Sequence, residues 1–241
     1  MNREYHKWFS IALQRDMELL VFGDGGRAII FFPTRTARFF DYENWGVIEA
    51  FKDRIENGEM QLFCVDSVDA ESFYNPVVHP ADRIKRHLEY EKYILEEVVP
   101  LIRYKNSSQI EVTGCSMGAY HAINIALKHS EYFIKAVGMS GRYDLTQPIN
   151  GFRDLFDGFE DETVYYNMPC QFMKNLDDEN ILAMIRKLEI ILVVGETDAF
   201  LQNNRELSDT LSSKGINNQL YIWEGEAHKP RHWQKMVQLY L

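Results

Sequence analysis

Apolar residues along this chain fall into two rhythms: short runs that are continuous or alternate by two, and longer stretches spaced by three or four. Residues 28–32 are unbroken apolar sequence, the pattern of a strand buried on both faces of a mainly parallel sheet, and Pro33 ends it. Residues 60–65, a short alternating run through Ile110 and Val112, and residues 134–139, 189–195 and 219–223 read as further strands. Upstream, 9–22 reads as an antiparallel hairpin around a polar break at Gln14-Arg15-Asp16, followed by a turn at Asp24-Gly25-Gly26. Helical spacing marks 47–55, closed near Asn57-Gly58, and a long stretch from Pro80 to Arg103 through Ile84, Leu88, Ile94, Val98 and Ile102. It also marks 119–129, 200–213 and 230–241. Between these lie a polar, aromatic loop at 34–45, a long connection at 66–79 and a less regular insert at 145–188.

Strands alternating with helices after residue 28 predict an α/β fold, a doubly wound, mostly parallel sheet of about eight strands flanked by helices with right-handed crossovers. The absence of repeats, low-complexity tracts or linkers predicts one domain over 1–241, with 145–188 as a small cap insert after the sixth strand. A chain of 241 residues can bury enough surface to need neither disulfides nor metals for stability. Its net charge of −10 argues against nucleic-acid and anionic-membrane partners, which require a basic patch. No charged-then-apolar leader opens the sequence given, and every apolar run is too short to span a bilayer. Cys64, Cys115 and Cys170 show no disulfide framework, so a cytoplasmic location is the expectation.

The candidate chemistry centres on Gly114-Cys115-Ser116-Met117-Gly118, between the run at 110–112 and the helix at 119–129. In a strand–turn–helix of the G-x-S-x-G kind, glycines let strand and helix pass closely while the serine stands clear at a helix N-terminus. A serine nucleophile needs a base, a carboxylate to orient the base, and donors for an oxyanion. Asp198 follows the strand at 189–195 and His228 follows the strand at 219–223, in the order Ser, acid, His. Glu196 and Asp144 are rival acids, and Asp198 could instead be only a helix N-cap. Backbone N–H groups of Met117 and of the loop after residue 32, at Arg35 or Thr34, are the candidate oxyanion donors, although the H-G-G-G run of many lipases is absent. The side chains of Arg35 and Arg38 would favour an acidic substrate or be simple solvated charges. His228 and His232 are spaced like metal ligands, but Pro230 between them and the missing H-E-x-x-H glutamate weigh against a metal site. His121 and His129 read as structural or exposed, and Cys115 as a bystander that points into the fold.

With these residues in place, the chain resembles an esterase family of the α/β-hydrolase fold, in the branch of esterase D (S-formylglutathione hydrolase), feruloyl and acetyl-xylan esterases and the mycolyltransferases. The resemblance spans nearly the whole chain. It rests on Phe31-Phe32-Pro33-Thr34, Val65-Asp66-Ser67-Val68-Asp69 with Ser72-Phe73-Tyr74, Gly114 to Tyr120, Met139-Ser140-Gly141-Arg142-Tyr143-Asp144, and His228 followed by Trp233. It implies a catalytic Ser116, Asp198 and His228, ester hydrolysis through an acyl-enzyme, no cofactor and a small-molecule ester as partner, with self-association left open. Acyl transfer or thioester hydrolysis is the alternative within the class, and a non-catalytic binding protein on the same fold the alternative outside it. Trp45, Tyr74, Tyr143 and Trp233 are the aromatic candidates for a substrate pocket.

Overall fold

The computed structural model describes residues 1–149 and 151–241. Eight strands, β1 (Arg3–Ser10), β2 (Arg15–Phe22), β3 (Arg27–Phe32), β4 (Met60–Val65), β5 (Ile110–Cys115), β6 (Phe133–Met139), β7 (Glu189–Gly195) and β8 (Asn218–Trp223), form one sheet. Their spatial order is β1-β2-β4-β3-β5-β6-β7-β8; β2 pairs antiparallel with both β1 and β4, and every other pairing is parallel. β4 and β5 are buried at every position, Gln61, Glu111 and Thr113 included, whereas β1 and β8 are partly exposed because they are the two edges.

The helices in chain order are α1 (Asp41–Asn44), α2 (Lys52–Glu56), α3 (Pro80–Tyr93), α4 (Val99–Lys105), α5 (Met117–Lys128), α6 (Glu162–Tyr165), α7 (Pro169–Asn175), α8 (Glu179–Ile185), α9 (Leu201–Ser213) and α10 (Pro230–Tyr240). Two apolar cores lie on opposite faces of the sheet. β3 shows why: Ile30 and Phe32 enter the core shared with the α3–α4 segment, α5 and α9, while Ile29 and Phe31 enter the core shared with α2 and α10. No helix among the described residues is long and apolar enough to cross a membrane.

Four boundaries differ from the pattern reading, each for a physical reason. The hairpin begins at Arg3, and its turn is residues 11–14 with Gln14 left-handed at φ 53°. The half-polar edge strand at its start carries no apolar run to announce it. The helix at 47–55 is split into a 3-10 turn (Glu49–Phe51) and α2. The stretch from Pro80 stays helical to Lys105 but passes through a π turn, Ile94–Val98, between α3 and α4. Pro100, which has no N–H to return to the preceding turn, accounts for that distortion. Finally, α5 starts at Met117, because the turn before it is the single residue Ser116.

The 145–188 insert divides in two. Leu145, Leu155 and Phe156 pack with Phe73, Met117 and Tyr120 near the end of β5, whereas Cys170, Met173, Leu182 and Ile185 join the main core beside α5 and α9. Cys64, Cys115 and Cys170 are all free and buried.

Beneath α5 lies a buried polar cluster that the sequence pattern did not announce. His121 Nε2 lies 2.9 Å from Asp69 Oδ1, and Asn124 Nδ2 reaches Asn167 Oδ1 at 3.2 Å. Burial pushes the His87 imidazole, stacked in the same cluster, well below its ordinary range, so it stays neutral. At the cluster's edge burial pushes the Glu91 carboxyl up, but His129 and Lys128 outweigh burial and hold it down at about 2.

Candidate active site

Ser116 stands at the C-terminal end of β5 with φ 56° and ψ −115°, outside the regions a residue with a Cβ ordinarily occupies. Such a conformation costs on the order of 1–3 kcal/mol and persists only where its surroundings hold it. The flanking glycines are part of that hold. A Cβ on Gly114 would lie 2.3 Å from the Gly118 carbonyl carbon, and one on Gly118 would lie 2.2 Å from the Phe32 carbonyl oxygen. Strand, helix and the end of β3 therefore touch backbone to backbone. Gly118→Ala is expected to cost about 2–3 kcal/mol, because neither backbone partner can yield as a side chain would; urea denaturation measures it.

Tyr42 ties the turn to β3. Its hydroxyl donates to the Phe32 carbonyl oxygen at 2.9 Å and accepts the Cys115 N–H at 2.9 Å, so one buried side chain spans both strand ends beside Ser116. Cys115 itself faces the core, with its thiol pushed up by burial.

Asp198 is buried just past β7, and His228 sits in the loop between β8 and α10. Asp198 Oδ2 lies 2.9 Å from His228 Nδ1, and Oδ1 accepts the Phe200 N–H at 2.9 Å. With Nδ1 donating to the carboxylate, Nε2 keeps its lone pair. The imidazole is held edge-on between Phe200 and Trp233, at centroid distances of 5.7 and 5.8 Å. Ser140 supports this loop by donating to the Ala227 carbonyl oxygen at 3.4 Å and accepting from Trp233 Nε1 at 3.5 Å. The rival acids are engaged elsewhere. Asp144 closes a turn onto Thr146 and Gln171, and the exposed Glu196 accepts the Gly225 N–H at 3.2 Å.

Ser116, His228, Met117, Thr34 and Arg35 line a single cavity of about 270 Å³ together with Tyr74, Arg142, Leu145, Phe152, Phe200 and Trp233. Ser116 Oγ has no hydrogen bond to any described residue, the imidazole included, and so is held in no competing direction. As the first residue of α5, Met117 has an N–H without an intrahelical acceptor. Two aromatic candidates do not reach this cavity. Tyr143 is wholly buried in the core against Gly138, and Trp45 does not line the cavity but packs on Tyr42 and Trp233. Arg142, Leu145, Phe152 and Phe200 were not anticipated, since they come from loops whose course a local pattern does not encode. The two arginines of the 34–45 loop also part company. Arg38 pairs with Asp66 and Glu18, whereas Arg35 lies over the Tyr74 ring at 5.6 Å with no carboxylate partner among the described residues.

Among the described residues no group of three or more His, Cys, Asp or Glu is disposed to hold a metal.

A sheet of this order, with a strained serine after β5, a carboxylate after β7 and a histidine after β8, defines the α/β-hydrolase fold. The family model described as "Putative esterase" matches residues 25–236, and the chain belongs to that esterase family. Solved structures similar to it include a ferulic acid esterase (TM-score 0.79, 17% identity, covering 99% of this chain and 95% of that one). A fluorophosphonate-binding serine hydrolase F of Staphylococcus aureus is also similar (0.70, 17%, 99% and 96%), as is an S-formylglutathione hydrolase of Agrobacterium tumefaciens (0.72, 16%, 98% and 91%). Comparison with curated proteins finds no match.

Proposed function

We propose that this chain is a serine carboxylesterase that cleaves a small-acyl or aromatic ester through Ser116, His228 and Asp198. The observation that carries the reading is the 2.9 Å Asp198–His228 pair, whose imidazole faces the same cavity as a serine on a strained turn.

In the reaction, His228 Nε2 takes the Ser116 proton as Oγ attacks the ester carbonyl carbon. The oxyanion forms against the N–H groups of Met117 and of Arg35 or Thr34, fixed donors that need no reorganisation as charge develops. The imidazolium then protonates the departing alkoxide, leaving an acyl-enzyme. Water, deprotonated by Nε2, attacks that ester; Ser116 recovers its proton and the acid leaves. Asp198 holds Nδ1–H throughout and stabilises the transient imidazolium.

Incubation with a fluorophosphonate followed by peptide mass mapping tests this reading. The expected result is one adduct, on the peptide carrying Ser116, together with hydrolysis of short-chain 4-nitrophenyl esters. No adduct, or an adduct on another serine, overturns it.

A further inference from the structure

The cavity over Ser116 continues into a second lobe of about 250 Å³, and the two share Arg35, Tyr74, Arg142 and Phe152. The second lobe adds Arg153, Leu155 and Gly151. Three arginines therefore border the path away from the nucleophile, and among the described residues no acidic side chain lines either lobe. That concentration runs against the chain as a whole, which carries 36 acidic and 26 basic residues.

Arg142 is the telling member. It is 5% exposed and has no carboxylate within ion-pair distance among the described residues; Asp144 and Asp154 act on it only from further away. Its guanidinium donates instead to four backbone carbonyls, those of Asp144, Arg153, Leu145 and Gln147. Of its five N–H donors, one on Nη1 is left over. A buried cation satisfied only by neutral carbonyls keeps an uncompensated charge, which is costly in a poorly solvated site. Arg35, exposed and without a carboxylate partner, faces the same lobe across the Tyr74 ring. Arg153, also exposed, has among the described residues only Asp157 as an ion-pair partner, at 3.6 Å. Arg35, Arg142 and Arg153 line this lobe together with Tyr74. Burial, with the charge of Asp69 adding to it, pushes the Tyr74 hydroxyl up to about 12, and the charges of the three arginines pull it back.

We infer that this lobe is an anion subsite, and that the ester cleaved at Ser116 carries a carboxylate held between Arg35, Arg142 and Arg153. A carboxylate matches the guanidinium fork, and it would supply the counter-charge that Arg142 lacks. The subsite rests on the esterase reading above and narrows its substrate to an anionic ester. Long-range attraction does not help such a substrate toward a chain of net charge −10, so local arginines must do the holding.

The experiment measures kcat/KM of the full-length chain on two matched ester pairs. In one pair the charge is in the acyl part, mono-4-nitrophenyl glutarate against 4-nitrophenyl pentanoate. In the other it is in the leaving group, 4-acetoxybenzoate against its methyl ester. The expected result is a preference of about tenfold or more for the anionic member of at least one pair at low salt, shrinking as added salt shortens the screening length. Arg35→Gln combined with Arg153→Gln should bring the ratio to within about twofold, and Arg35→Lys should retain only part of it, because an ammonium keeps the charge but not the fork. Both replaced arginines are exposed, so the test does not depend on Arg142 variants, which would also release four loop carbonyls. Neutral esters preferred in both pairs, or a preference indifferent to salt and to the double variant, overturns the subsite while fluorophosphonate labelling of Ser116 leaves the hydrolase standing. Loss of labelling and of all ester turnover in the unaltered chain overturns the hydrolase reading and the subsite with it.

Discussion

Ser116→Ala should lower kcat/KM for any ester the chain turns over by about 10⁴-fold or more and abolish fluorophosphonate labelling. The substitution removes one oxygen atom from a residue whose backbone is held by Gly114, Gly118 and the Tyr42 clamp. Its unfolding midpoint should therefore stay close to that of the parent chain. Loss of activity without loss of stability separates a nucleophile from a structural turn serine, which would show the reverse. Adding His228→Ala to Ser116→Ala should lower the rate little further, because groups that act as one unit are not additive. Whatever hydrolysis remains would come from binding and from the N–H groups of Met117 and the 34–35 loop.

The second large effect belongs to Asp198. Its Oδ1 accepts the Phe200 N–H and its Oδ2 faces His228 Nδ1. In Asp198→Asn the amide oxygen must stay on the Phe200 side to keep accepting that N–H, which turns the NH₂ group toward the imidazole. Nδ1 then has to accept, so the ring proton moves to Nε2, the atom that should take the Ser116 proton. A fall in kcat of about 10³–10⁴ is expected, with KM changed far less. Pre-steady-state acylation measured with a 4-nitrophenyl ester checks it: acylation itself should slow, not only deacylation. An unchanged kcat would mean that Asp198 serves only the turn into α9.

How far the site can be read from residues alone varies with how each part is encoded. The serine turn is local: two glycines four residues apart are demanded by backbone contacts within and beside one strand–turn–helix, and so they appear as a pentapeptide. Asp198 and His228 each directly follow a strand with an apolar signature, so their order was legible although their 2.9 Å approach spans 30 residues. The aromatic candidates fared unevenly. Tyr74 and Trp233 line the cavity, whereas Tyr143 faces the core and Trp45 packs on Tyr42 and Trp233, because the direction of a loop side chain is set by what it packs on. Tyr42 could not be picked out among the aromatics of its loop, since its role depends on two strand ends that meet only in three dimensions. Arg142 stands out in the sequence only as one residue of Met139 to Asp144; that its charge is buried among neutral carbonyls follows from where Asp144, Leu145, Gln147 and Arg153 fold against it.

By itself, then, the sequence determined what repeats or stays local. Apolar runs specify strands because burial on two faces leaves no polar option, and the glycines around Ser116 specify a turn because no other residue fits. The hairpin start at Arg3 and the split of the 145–188 insert between site and core were decided by tertiary packing. So was the gathering of Arg35, Arg142 and Arg153 around Tyr74. Each depends on neighbours far away in the chain, and a charge has no periodicity to reveal which cavity it will face. The strained serine turn is thus written in five consecutive residues, whereas the cavity surface beside it exists only once the loops after β3, β4 and β6 have been brought together.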